Sequence, residues 1–229
     1  MMELAALKVQ ARERCLSILG GFHSNSDDKT PEGCKTLLLL GPDEPHFWSH
    51  LKTSPEGVDG ASDPVDRWSK RVIDDWARHL NASAVYPFGG PPYAPFFSWA
   101  LRSGRIEASP IQLLVHDVAG LFVSFRGALA LPVHVDLSEP EPGPCMSCSD
   151  TPCKNACPVD AFARKSYDVE TCKTYLQTRA GQDCMDNGCK ARRACPVSQR
   201  FGRLPEQSAY HMRQFRSEER RVGKECRSR

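Results

Sequence analysis

Cys145-Met146-Ser147-Cys148-Ser149-Asp150-Thr151-Pro152-Cys153-Lys154-Asn155-Ala156-Cys157-Pro158 is followed, after a gap, by Cys172, Cys184, Cys189 and the pair Cys195-Pro196. Eight of the 11 cysteines fall between Cys145 and Cys195, in two halves of four, each closing on a cysteine followed by proline. Few large aliphatic residues accompany them, too few for a self-sufficient core. Something other than hydrophobic burial has to hold this segment together, and metal ligation is the natural candidate. Met1-Met2-Glu3-Leu4 has neither the charged start nor the apolar stretch of an export signal. A cytoplasmic, reducing setting is expected, where dense cysteine reads as metal binding sooner than as disulfides.

In bacterial two-cluster runs three thiolates lie close together, and the fourth, just before a proline, reaches across to the other cluster. The same logic predicts a first 4Fe-4S cluster on Cys145, Cys148, Cys153 and Cys195, and a second on Cys157, Cys172, Cys184 and Cys189. Thiolates suit iron as soft, charge-donating ligands, one for each iron of a cube. Both halves have longer gaps than the tight two-two-three spacing. Two four-thiolate zinc sites are the alternative; the proline-closed halves favour iron and sulfur. A helix over 168–177, capped by Asp168, would deliver Cys172 from a distance. Lys190, Arg192, Arg193 and Arg200 surround the last ligands and could offset cluster charge or dock an acidic redox partner, or simply form a solvated run. Cys15 and Cys34 stand apart and read as non-ligands.

Working outward, residues 4–19 place apolar side chains at intervals of three and four, which predicts a helix ended by Gly20-Gly21, then a loop over 22–34. Residues 35–41 suit a buried strand and 45–51 a helical turn. Ser62-Asp63-Pro64 opens a strong helix with Val65, Trp68, Val72, Trp76 and Leu80 down one face, better read as a core stripe than as a cofactor stack. Strands are expected over 82–88, 111–115 and 121–132, a short helix over 94–103, and a turn or pocket wall at Gly89-Gly90-Pro91-Pro92. Helices and strands in this order predict an α+β layer over 1–135. The proline-rich stretch 136–144 is the expected linker, with the cysteine domain over 145–200 and a helix and basic tail over 201–229.

The chain of 229 residues has a formal charge of +2, but seven Lys and Arg against three Glu fall in 213–229, so the remainder is slightly acidic. That balance predicts no nucleic-acid partner. The longest apolar runs fall far below the roughly 18–20 residues of a membrane span, so no membrane partner is expected. No glycine-rich phosphate loop or dinucleotide fingerprint is present.

Cys145 through Phe162 resembles a ferredoxin-type 4Fe-4S motif. Cys172-Lys173-Thr174-Tyr175-Leu176-Gln177-Thr178, ahead of the last three cysteines, is similar to the dicluster domain of epoxyqueuosine reductases and reductive dehalogenases, cobalamin-dependent enzymes that feed electrons from two cubes to a corrinoid. Leu38 to Pro42, Asp63 to Asp66, and Leu113 to His116 with Gly120 to Leu129 are similar to cobalamin-processing proteins that decyanate and dealkylate the vitamin. These resemblances imply a nitroreductase-like N-terminal sheet with helices, followed by a small ferredoxin-like dicluster domain. They also make His116, Gly120 and Arg126 cofactor-binding candidates for a corrinoid or flavin, although His116 taken alone reads as a strand-end histidine satisfied by backbone. The Tyr-x-Asp-x-Gly-Pro run that carries the acid in epoxyqueuosine reductases has no counterpart, so queuosine chemistry is not expected. Residues 216–229 resemble readthrough sequence at the ends of misassembled genes, and Cys226 is read as non-native with them. The expected function is electron transfer to a redox partner protein. A cobalamin- or flavin-linked reductase fed by its own clusters, an oxidoreductase, is one alternative, and a zinc-stabilised interaction module is another.

Overall fold

The computed structural model describes residues 3–137, 139, 142–163 and 166–217. Strand β1 is Leu16–His23 and β2 is Thr36–Pro42. In β2, Leu38 and Leu40 pack into one apolar layer while Leu37 and Leu39 pack into another. A strand that is apolar on both faces has to lie inside a sheet covered on both sides. The sheet supplies that setting, in the antiparallel order β1, β2, β6 (Gly127–Leu131) and β3 (Ser83–Val85). Strand β6 repeats the division, Leu129 and Leu131 facing one layer, Ala128 and Ala130 the other.

Helices α1 (Leu4–Glu13), α2 (His46–Thr53) and α4 (Pro64–His79) cover the first face, with the short turn α3 (Pro55–Val58) between α2 and α4. Trp68 and Trp76 of α4 are fully buried, the core role their helical spacing predicts. Trp76 Nε1 also donates to Gln10 Oε1 at 2.9 Å, joining α4 to α1. Pro64 starts α4 as expected, but Asp63 adopts a left-handed φ of 52° and its side chain makes no capping bond. Helix α5 (Phe96–Arg102) and the hairpin β4 (Ile106–Ala108) and β5 (Leu114–His116) cover the second face.

Two expectations need correction. The first helix ends at Glu13, because Arg14 and Cys15 turn back to Ala11 and Arg12 and Cys15 takes a φ of +53°. Leu16–His23, expected as helix end and loop, is β1, with a bulge between Ile18 and Gly20. The bulge switches its alternation, so Leu16 and Ile18 face the first layer and Leu19 and Phe22 the second, and this broken period resembles neither ideal template. Of the strand expected over 121–132, only Gly127–Leu131 pairs; Phe122 and Val123 bond back to Ala119 and Gly120 in turns.

The cysteine segment contributes α6 (Val169–Leu176), α7 (Gln182–Asn187), α8 (Lys190–Ala194) and α9 (Pro196–Arg200), and α10 (Pro205–Ser217) folds back. It joins the sheet through a buried seam. Leu121 N–H donates to Ser198 Oγ at 2.8 Å, and Gly120, at φ +56°, lies so close to α9 that a Cβ there would stand 2.4 Å from Ser198 N. On α10, Glu206 accepts from Trp48 Nε1 at 3.3 Å and Lys52 Nζ at 2.7 Å, holding the start of that helix to α2. The expected basic tail from residue 218 on, including Cys226, lies outside the described residues. No helix among the described residues is long and apolar enough to cross a membrane.

Gly120→Ala combines a strained φ with overpacking at the seam, so urea unfolding should record a loss of at least about 2 kcal/mol; an unchanged midpoint would contradict the close approach. A second expectation concerns pH. The Arg71 guanidinium, bonded to Glu56 through Nη2 at 3.0 Å, holds the Glu56 carboxyl down at about 2, from an ordinary 4.5. A depressed carboxyl stabilises the fold above its unfolded value and loses that contribution as pH falls from 4.5 towards 2. Glu56→Gln should therefore melt lower than the parent at pH 7 and match it near pH 2, as thermal melts across that range would record.

Candidate metal centre

Cys145, Cys148, Cys153 and Cys195 line one cavity of about 140 Å³. Local backbone geometry aims each of them inward. Cys148 N–H bonds back to Cys145 O at 3.3 Å, closing a turn between the first pair. Thr151, at φ +37°, leads into a single turn over Pro152–Lys154 that buries Cys153. Cys195 ends α8 and caps α9, and Pro196, which needs no hydrogen-bond partner at the first helical position, sends the chain away. The surroundings are apolar, with Ile111, Val115, Leu121 and Phe162 packed against the sulfurs. Burial pushes the Cys145 thiol up to about 12, helped by the neighbouring Glu107 carboxylate, whose Oε1 also accepts from Cys145 N–H at 3.2 Å. Burial likewise raises Cys153, with Cys195 and Cys148 adding to the effect.

The second set gathers around Cys172, which α6 presents after an Asp168 cap that accepts from Thr171 N–H at 3.0 Å, as expected. Burial lifts the Cys172 thiol to about 11, the Tyr167 hydroxyl bonded to it opposes the rise, and Cys189, Cys157 and Cys184 lie near enough to reinforce it. Cys184 is buried on α7 beside Leu176 and Met185. Cys189 follows Gly188, whose φ of +88° ends α7, and caps α8. Ala161 N–H points at Cys157 Sγ at 3.4 Å. Raised thiols keep their protons until a soft cation displaces them, so a metal ion bound to them would release protons.

The four cysteines of the first predicted quartet line one cavity, while of the second Cys172 and Cys189 line another, of about 270 Å³, with Cys157 and Cys184 near Cys172. Cys15 and Cys34 line neither cavity. All ten described cysteines are free.

The basic residues of α8 divide. Lys190 and Arg193 both pair with Asp183, at 3.3 and 2.6 Å, and bind α8 to α7. Arg192 instead donates to Leu121 O and reaches the second cavity.

Of the three cofactor candidates, His116 and Gly120 are joined by backbone hydrogen bonds in both directions, at 3.1 and 2.9 Å, and each of the three is engaged within the fold. His116 is buried, with Nε2 2.7 Å from Leu19 O and Nδ1 accepting from Val118 and Ala119 N–H at 3.1 and 3.0 Å. Burial drives its pKa down to about 4, so the ring is neutral and both nitrogens are engaged. Asp117 Oδ1 also lies 3.1 Å from Nδ1, yet that carboxylate is bound by Arg105 Nε and Nη2, each at 2.8 Å. Gly120 faces α9. Arg126 is buried 3.6 Å from Asp66.

Compared with family models, curated proteins and solved structures, the chain finds no match.

Sequence reading missed Glu107, Tyr167 and Arg203. Arg203 Nε stands 3.0 Å from Glu44 Oε1, both side chains being almost wholly buried, although the two are not aligned for a hydrogen bond. Burial lowers Arg203 to about 10 and raises Glu44. Arg203 Nη2 donates to Phe122 O at 2.9 Å and Ser124 Oγ at 3.1 Å. No local motif marks these residues; their partners are far away in sequence.

Proposed function

We propose that this chain is an iron–sulfur electron-transfer protein carrying two 4Fe-4S clusters, the first on Cys145, Cys148, Cys153 and Cys195, the second on Cys157, Cys172, Cys184 and Cys189. One observation carries the proposal: Cys195 from the second half lines the cavity of the first three cysteines, while Cys157 from the first half neighbours Cys172. This crossing of halves is what the two-cluster run requires. Zinc has less to support it. Each half closes on a cysteine followed by proline, the pattern of the two-cluster run. A cube takes one cysteine sulfur on each iron and asks for an enclosed space between them.

When bound, each cluster takes up and returns one electron, at a potential set by its surroundings. The chain's own residues supply those surroundings. Ala161 N–H and the Tyr167 hydroxyl direct hydrogen bonds to sulfur, which stabilises added negative charge. Ile111, Val115 and Leu121 keep water from the first set. On this reading residues 145–200 are a ferredoxin-like unit, residues 1–135 a nitroreductase-like domain reduced to a four-stranded sheet, the setting is a reducing cytoplasm, and the partner is a redox protein. The corrinoid- or flavin-linked alternative rests on less, since His116, Gly120 and Arg126 are occupied within the fold.

Protein expressed and purified without oxygen should be brown and hold about eight irons and eight sulfides per chain, four of each for each cube. Cys148→Ala and Cys184→Ala should each remove about half, and Cys34→Ser none. Colourless protein, or protein holding only zinc, would sink the proposal.

A further inference from the structure

We propose that His23 and His134 bind one borderline-soft divalent cation, for which zinc is the probe, at a site separate from the cysteine cavities. Neither histidine lines those cavities. Both are exposed at one end of the sheet, where their rings meet edge to face, with centroids 5.2 Å apart and planes at 80°. That spacing is the first argument. A zinc ion about 2.0–2.1 Å from an imidazole nitrogen lies about 3.2 Å from the ring centre, and two imidazoles on one tetrahedral ion then have centres about 5.2 Å apart. The pair already has the separation that a shared ion would set.

Hydrogen bonding is the second argument. His23 Nε2 lies 3.0 Å from Val135 O, a carbonyl oxygen that can only accept. Nε2 therefore carries the hydrogen, and in the neutral ring the Nδ1 lone pair is left for a cation. A histidine whose other nitrogen donates to a backbone carbonyl has the tautomer and ring direction that metal sites use.

The backbone supplies the third argument. His23 pairs with Thr36 in the register of β1 and β2. Thr36 is fully buried; its Oγ1 donates to Val133 O at 3.0 Å and accepts from Val135 N–H at 3.1 Å. One side chain thus clasps the chain on either side of His134 while its own backbone lies opposite His23. Fixing both backbones in advance lowers the ordering cost of binding. No third His, Cys, Asp or Glu among the described residues stands with the pair, so water completes the shell and the site is weaker than a four-ligand structural one. An ion held there would tie the end of β1 to the stretch that follows β6 and leads towards the cysteine segment.

Calorimetric titration of the anaerobically purified full chain with zinc chloride tests the site, the metal already present being measured first. The parent should take up one more zinc, at micromolar concentration, than a variant carrying both His23→Gln and His134→Ala. Each change alone should weaken that extra uptake at least about tenfold, since a ligand is worth no less than the outer partners that support one. His79→Ala, at an exposed histidine of α4, and Cys34→Ser should leave it unchanged. Zinc should also raise the melting temperature of the parent further than that of the double variant. Equal uptake by parent and double variant overturns the site, whatever the cysteines take up, and so does a difference that emerges only at millimolar zinc. Uptake lost equally in His79→Ala overturns the role of the pair. Because the comparison is between histidine variants, failure here leaves the cluster reading standing, and failure of the cluster reading leaves this site standing.

Discussion

The central constraint on this fold is that β2 and β6 are apolar on both faces, which leaves the sheet no side on which to meet water. Three long-range consequences follow. The α1, α2 and α4 layer covers one face. The other needs α5, the β4–β5 hairpin and the turn-rich stretch after Gly120. That stretch presents the Leu121 and Phe122 backbone groups to Ser198, Arg192 and Arg203. The cysteine segment is thus built on the covering layer of the sheet, and its few apolar residues borrow Ile111, Val115 and Leu121 from it.

How much of this was legible in sequence depends on whether the signal was local. The α4 stripe, the buried strand at Leu37 to Leu40 and the Asp168 cap were readable because each is decided within a few residues. The meeting of Cys195 with Cys145, Cys148 and Cys153 at one cavity was readable because cysteine spacing and the closing proline are local signals. Strand β1 was not, since its bulge disrupts the period that identifies a strand and its two glycines imitate a helix stop. Nor was the Arg203–Glu44 pair, whose members come from distant segments and are joined only by packing.

The buried charges deserve comparison with the buried sulfurs. Glu107 lies against the first quartet, whereas Arg192 and Arg203 face the second. The two sites therefore differ in electrostatic surroundings. Such asymmetry comes from the supporting fold, because cysteines line both cavities.

Each cavity is walled by residues made at very different moments. Cys195 reaches the first only after α8 has left the ribosome, and Met212 and Phe215 reach the second later still. Vectorial synthesis leaves the early thiols without their later neighbours during translation, so the second cavity closes only once α10 docks.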